Sequence, residues 1–163
     1  MDIKQKGGTL FLRVALIAVA ALSVLFCIFV FPEMWRSYDF EDQILAQPMR
    51  GVIIRWYISA IPFLVGLWQS WKLLGYIDRG VAFSELSTRA LNRIKQCAIA
   101  IAVIMASALP FFYGFAQLDD APGVVIIGMM FIGGPVAVAI FAALLQKLLR
   151  NAIEMKNENE LTV

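Results

Sequence analysis

The sequence of 163 residues has no histidine, only two cysteines and few charged residues, which make up 16% of the chain. A soluble domain typically has about 25% charged residues. Histidine supplies most zinc, haem and general acid–base sites, so its absence argues against all three. The sequence is rich instead in apolar residues, at 61% of the chain. Such an excess requires lipid around it, and this excludes a soluble enzyme.

The apolar residues are concentrated in four blocks, each long enough as a helix to cross most of a hydrocarbon layer of about 30 Å. Backbone polar groups must be satisfied inside lipid, so each block is predicted to be an α-helix. We therefore predict an all-α integral membrane protein, a four-helix bundle with short outer loops, in one domain over residues 1–163. The predicted spans cover residues 14–31, 52–74, 97–115 and 124–145, followed by a helical tail over residues 146–163.

The distribution of lysine and arginine predicts how the spans are oriented. Of the 14 basic residues, 11 lie in the N-terminal segment, the middle loop between the second and third spans, and the tail. The other two loops and their adjoining span ends hold the remaining three. The positive-inside rule therefore predicts that both termini and the middle loop are cytoplasmic.

Three prolines, Pro62, Pro110 and Pro135, lie inside predicted spans. Each lacks a backbone N–H and is predicted to bend its helix, most strongly at Gly133-Gly134-Pro135. Interrupted helices can also line the substrate cavity of a transporter, and that role predicts a polar cavity beside these residues. A purely structural bend needs no cavity.

Small residues recur at four-residue spacing in the last two spans, which predicts close packing of these two helices. They are Ala98, Ala102 and Ala106 in the third span, and Gly133 with Ala137 and Ala139 with Ala143 in the fourth. Alanine is also common in membrane helices that make no such contact, so this alternative stays open.

Ionisable residues near the membrane centre mark ion and proton pathways, and the four predicted spans have none there. Arg55 lies one turn inside the second span, where it can snorkel to the interface as an anchor. Its predicted acidic partners are Asp39, Glu41 and Asp42.

The two thiols, Cys27 and Cys97, are predicted to lie near opposite membrane faces, too far apart for a disulfide or a shared metal site. The sequence also lacks a Gly-x-x-x-x-Gly-Lys phosphate loop and a Gly-x-Ser-x-Gly nucleophile elbow. We therefore predict no cofactor, no metal and no enzymatic activity.

Two segments outside the spans are predicted to form amphipathic helices. In the middle loop Ser84 is a suitable N-cap for a helix, expected to lie along the membrane interface before the third span. After the fourth span an apolar stripe continues into the tail and could contact the middle-loop helix, the membrane or a partner. The candidate residues for contact with a partner or lipid are Phe83, Leu86, Arg89, Arg93, Leu148, Leu149, Ile153 and Lys156.

The Gly80-x-x-Phe83-Ser84 entry to the middle loop and the tail from Leu144 to Val163 resemble the YoaS-like family of small four-pass bacterial membrane proteins. The function of that family is unknown. The resemblance implies a location in the bacterial inner (cytoplasmic) membrane and no catalytic residue. Members are often encoded beside a small helix-turn-helix regulator, which by association implies membrane control of a transcription factor.

Two functional hypotheses follow. The first is a regulatory or interaction protein that acts at the cytoplasmic face on a partner such as a helix-turn-helix regulator, with no direct contact to nucleic acid. The alternative is a small transporter or channel component, which would be a homo-oligomer because four helices enclose little space alone. The sequence leaves the ligand, the partner and the oligomeric state open.

Overall fold

The computed structural model describes the backbone of residues 3–41 and 43–161, and the side chains of residues 8–37 and 46–158. Within these ranges the chain is helical apart from short turns, which confirms the all-α fold. The elements are α1 (Ile3–Leu25), a π-helical turn (Phe26–Val30), α2 (Phe31–Glu41), α3 (Gln43–Asp78), α4 (Glu85–Ala106), α5 (Leu109–Leu118) and α6 (Gly123–Leu161).

Four segments are long and apolar enough to cross a membrane, and each contains one predicted span. They are Gly8–Ser37, Ala46–Asp78, Glu85–Leu118 and Gly123–Glu158. No more than 28% of the most apolar window of each segment is buried inside the protein. The remaining apolar surface faces outward, as contact with lipid requires.

Spans that follow each other in the chain pack together. The first span (α1, the π-helical turn and α2) contacts α3, α3 packs on α4 and α5, and α6 packs on α4 and α5. Within the described residues the first span and α6 share no comparable contact. The bundle is therefore open between its first and fourth spans.

The contact between α4 and α6 is the most extensive in the bundle, as the spacing of small residues predicts. Ala102 of α4 and Ala139 of α6 lie at the seam between the two helices and are buried, and Ala98 and Ala142 of the same helices are also buried. Gly133 and Ala137 of the predicted α6 stripe and Ala106 of the α4 stripe are exposed, so these positions are not buried in the contact. Small side chains let the two backbones approach closely.

Two adjacent aromatic side chains of α5 fill space between α3 and α6. The ring of Phe111 occupies the position that a side chain at Gly51 of α3 would need. The ring of Phe112 lies 2.9 Å from where a Cβ at Gly128 of α6 would stand. Phe112 also packs with Val52 in the buried core. Glycine on the two flanking helices therefore makes room for both rings.

The helices α3 and α6 continue through Pro62 and Pro135 without interruption. The bends predicted at these prolines stay predictions. In the third span the helix is interrupted at Ser107 and Ala108, directly before α5, and Pro110 lies in the first turn of α5. A proline is tolerated there because the first N–H groups of a helix have no intrahelical partner.

The middle loop is short. Gly80 ends the helical geometry of α3 with a positive φ of 71°, which glycine adopts without strain. The Ser84 hydroxyl caps α4 by accepting a hydrogen bond of 3.4 Å from the Ser87 N–H, as predicted. The helix then runs to Ala106 without a break. The predicted middle-loop helix is therefore the start of the third span's own helix, and no turn along the interface separates them.

Candidate functional site

One end of the bundle collects the three basic segments of the chain, and we name it the basic end. Arg13 of α1 forms an ion pair of 2.6 Å with Asp78, the last residue of α3. The same guanidinium lies 5.3 Å from the ring centre of Trp71. Lys95 of α4 donates a hydrogen bond of 2.9 Å to Oε1 of Gln146 in α6. These contacts join α1 to the end of α3, and α4 to α6, at the same end of the bundle.

The predicted contact residues all lie at the basic end. Phe83, Leu86 and Leu148 have exposed fractions of 64%, 51% and 65%. Leu149 and Ile153 are half-buried, so these two are turned towards neighbouring residues of the protein. The exposed charged members are Arg89, Arg93 and Lys156. The basic residues Lys4 and Lys6 lie outside the described side chains.

The two helices α4 and α6 extend beyond the Lys95–Gln146 contact as an antiparallel pair, which we name the paired extension (residues 85–95 and 146–161). At a rise of 1.5 Å per residue it is about 15 Å long on α4 and about 22 Å long on α6. Leu148 and Met155 are seven residues apart and lie on the same side of α6. Met155, which sequence reasoning missed, is 60% exposed.

A cavity of about 410 Å³ occupies the opening between the first and fourth spans. Trp56 of α3 spans it, with its ring centre 5.0 Å from that of Phe31 and 5.3 Å from that of Phe131. The hydroxyls of Ser23 and Ser59 line the cavity, and each donates a bond of 2.8 Å to a carbonyl of its own helix. The lining therefore offers an apolar and aromatic surface.

The transporter hypothesis predicts a polar cavity beside the in-span prolines. The cavity reaches Gly134 and Pro135 but is not lined by Pro62 or Pro110. Its few hydroxyls are already bonded to backbone, which suits an apolar molecule better than an ion or a sugar. Within the described residues, no cluster of His, Cys, Asp or Glu could hold a metal ion.

The π-helical turn, which sequence reasoning missed, forms the middle of the first-span wall of the cavity, between Ser23 of α1 and Phe31 of α2. The N–H of Phe31 donates to the carbonyl of Phe26, five residues earlier. Pro32, the next residue, has no N–H. In an α-helix the carbonyl of Cys27 would accept from the Phe31 N–H, but that N–H is bonded to Phe26. In a longer π-helix it would accept from the N–H of residue 32, which is a proline and has none. It accepts a hydrogen bond of 2.8 Å from the Tyr57 hydroxyl of α3 instead. A proline directly after an apolar run was the available signal.

Arg55 connects α3 to the interruption between α4 and α5. Its Nε donates to Oγ of Ser107 and its Nη1 to the carbonyl of Gly51, both at 3.0 Å. Its guanidinium carbon lies 4.1 Å from the ring centre of Phe111. The predicted partners Asp39, Glu41 and Asp42 lie outside the described side chains.

Cys27 and Cys97 are free thiols, as predicted. Cys27 lies beside Tyr57 of α3, and Cys97 lies beside Gly66 of the same helix. Nine residues of helix separate these two levels by about 13 Å, which no disulfide can bridge. The thiols are nevertheless closer than the predicted positions near opposite faces of a layer of about 30 Å, because Cys97 lies beside the middle of α3.

Two comparisons with known proteins bear on this fold. The profile of a family described as "Protein of unknown function (DUF2975)" matches residues 8–163. The uncharacterized membrane protein YoaS of Bacillus subtilis (strain 168) is 45% identical over 160 residues, which are 98% of this chain and 99% of YoaS. No solved structure matches the chain. The first two matches confirm the resemblance drawn from the middle loop and the tail.

Proposed function

We propose that this chain, which belongs to the DUF2975 family of unknown function, is a regulatory or interaction protein of the bacterial inner membrane. It acts at the cytoplasmic face, where both termini and the middle loop lie. The observation that carries this proposal is the paired extension. Its exposed apolar side chains stand among charged ones, where they are available to a protein partner.

The contacts at the basic end support the proposed orientation. The ion pair between Arg13 and Asp78 and the hydrogen bond between Lys95 and Gln146 gather the basic segments at one end. A membrane protein keeps such a concentration of lysine and arginine on its cytoplasmic side.

The proposed partner is a small cytoplasmic regulator with a helix-turn-helix domain, of the kind that the family resemblance associates with neighbouring genes. A surface formed by two helices can receive an amphipathic helix of such a partner, with Leu148 and Met155 as apolar contacts. A regulator held at the membrane would be withdrawn from its DNA sites.

Membrane recruitment of the regulator tests this proposal. The helix-turn-helix protein encoded beside the gene is tagged with a fluorescent protein and expressed with the full chain. We expect it at the membrane with the natural chain and in the cytosol with the Leu148→Asp, Met155→Asp variant. Asn157→Asp adds negative charge on an exposed polar position of the same helix and should leave recruitment unchanged. Equal recruitment by all three chains contradicts the proposal.

The cavity favours a second function, the binding or passage of a small apolar molecule. Its volume lies at the lower end of the range of about 300–1,000 Å³ that ligand pockets show. The substitution Ala60→Phe places a ring in the cavity, whereas Ile61→Phe adds a ring at a neighbouring position that is 68% exposed. An apolar fluorescent probe such as N-phenyl-1-naphthylamine should bind less tightly to the first variant only. Equal binding to both contradicts this alternative.

A further inference from the structure

A second apolar groove, separate from the cavity, runs along the outer seam between α4 and α6. It has a volume of about 510 Å³. Its walls include Ile99 and Val103 of α4 and Val136 and Ile140 of α6, while buried alanines of both helices form its floor. Because the groove lies on the surface of two membrane spans, whatever fills it comes from the bilayer or from another membrane protein.

The groove has a cation at one end. Lys95 lines the groove where the groove reaches the basic end of the bundle. The Lys95 ammonium has three N–H donors, and the hydrogen bond to Gln146 uses one of them. Lys147 is exposed and lies one helical turn after Ala143, which also lines the groove. Two positive charges therefore flank the point where the apolar groove meets the membrane surface.

These two ammonium groups lack a carboxylate among the side chains that the structure describes. Two acidic residues of the paired extension are paired within their own helices: Glu85 with Arg89 at 3.4 Å, and Glu154 with Arg150 at 3.3 Å. Glu158 lies eleven residues after Lys147, about 16 Å further along α6. Two ammonium groups at a membrane surface that no described carboxylate neutralises are complementary to an anionic group of another molecule.

We propose that the groove binds an anionic phospholipid from the leaflet at the basic end. One acyl chain lies along the walls formed by Val103 and Ile140, and the phosphate accepts hydrogen bonds from Lys95 and Lys147. The combination of an apolar groove with two lysines at its end favours a phospholipid as the occupant. A helix of a second copy would fill the apolar groove without using the lysines, whereas a phospholipid uses both features. Basic pockets between membrane helices bind anionic head groups in this way.

Native mass spectrometry of the purified full chain tests the proposal. The chain is titrated with phosphatidylglycerol and, separately, with phosphatidylcholine of the same acyl chains. Both lipids have the phosphate, but the two lysines repel the choline cation of phosphatidylcholine, and this predicts a preference of about tenfold for the net anion phosphatidylglycerol. The Lys95→Gln, Lys147→Gln variant should reduce this preference to about twofold or less.

A matched variant separates a specific site from general attraction. Arg79→Gln, Arg150→Gln removes the same charge from the same end of the protein, but neither arginine lines the groove, and Arg150 is paired with Glu154. We expect this variant to keep the preference. The proposal is overturned if both double variants lose it equally, if the natural chain shows no preference, or if the spectra show dimers that bind no lipid.

The groove itself is tested by Val136→Trp, which places a large ring between the walls. It should lower the occupancy of both lipids by several-fold, because both use the groove for an acyl chain. The substitution Val138→Trp, at a position of the same helix that does not line the groove and is 50% exposed, serves as the control. Unchanged lipid occupancy in Val136→Trp also overturns the proposal.

Discussion

The hydroxyl of Tyr57 in α3 lies 2.8 Å from the carbonyl oxygen of Cys27 and donates a hydrogen bond to it. The same ring packs edge-on against Phe31 at a centroid distance of 5.4 Å. In lipid no water can replace a lost donor, so a side chain from a neighbouring helix is the remaining way to satisfy a freed carbonyl. The bond therefore fixes the π-helical turn to α3 beside the cavity.

Removal of this hydroxyl should destabilise the protein. Tyr57→Phe keeps the ring but leaves the Cys27 carbonyl without its donor, and we expect a loss of about 1 kcal/mol in the free energy of unfolding. Denaturation in mild detergent, followed by circular dichroism, measures the loss. Tyr113→Phe removes a hydroxyl from an exposed bond with Gln117 and serves as the control. An equal effect of both substitutions would count against the proposed role of Tyr57.

The π-helical turn should depend on Pro32. Pro32→Ala supplies an N–H and lets the segment return to α-helical hydrogen bonding, in which Phe31 donates to Cys27. The Tyr57→Phe substitution should then cost less in the Pro32→Ala background than in the natural chain. A double-mutant cycle measures this difference, and strict additivity of the two changes would contradict the explanation.

Glycine at position 51 should be required for packing, whereas glycine at position 75 of the same helix should not. A Cβ at Gly51 would overlap the Phe111 ring, and we expect Gly51→Ala to cost about 1–3 kcal/mol of stability. A Cβ at Gly75 meets nothing within 4 Å. Gly75→Ala should be neutral or stabilising by up to about 1 kcal/mol, because alanine favours the helix. Thermal denaturation of the two variants measures this difference. Equal stability of the two would show that the Phe111 ring moves aside without a loss of stability.

The ion pair between Arg13 and Asp78 should couple the first span to the second. Both side chains are about one-third exposed, and the Trp71 ring covers the guanidinium. A double-mutant cycle with Arg13→Gln and Asp78→Asn should give a coupling energy of about 1 kcal/mol. The exposed pair of Glu85 and Arg89 provides the control, with an expected coupling of about 0.3–0.5 kcal/mol. Equal coupling energies in both cycles would mean that the Trp71 contact and the partial burial do not strengthen the ion pair between Arg13 and Asp78.

The sequence was sufficient to predict the four spans, the close packing of the last two and the extended tail helix. Each of these follows from a continuous or periodic pattern. The π-helical turn could not be predicted, because one extra residue in a helix that is apolar on every side leaves the pattern unchanged. The contact between Arg55 and Ser107 joins residues 52 positions apart. It depends on where α4 is interrupted, which only the packed bundle determines.

The apolar lining of the cavity also could not be predicted, because the transporter hypothesis expects a polar one. The sequence shows Gly134 and Pro135 as an interruption, yet the helix α6 is continuous there. Among the residues that the structure describes, the first and fourth spans make no extensive contact, and the open volume therefore depends on helix arrangement rather than on any one residue.

Site-specific photo-crosslinking in living cells shows whether the paired extension binds a cytoplasmic regulator. A photoreactive amino acid is placed at Met155 of the paired extension or at Ile126, an exposed position near the other end of α6. We expect a crosslink from position 155 to the helix-turn-helix protein encoded beside the gene, its loss with Leu148→Asp, and no crosslink from position 126. No crosslink from position 155, or equal crosslinks from both positions, would contradict it.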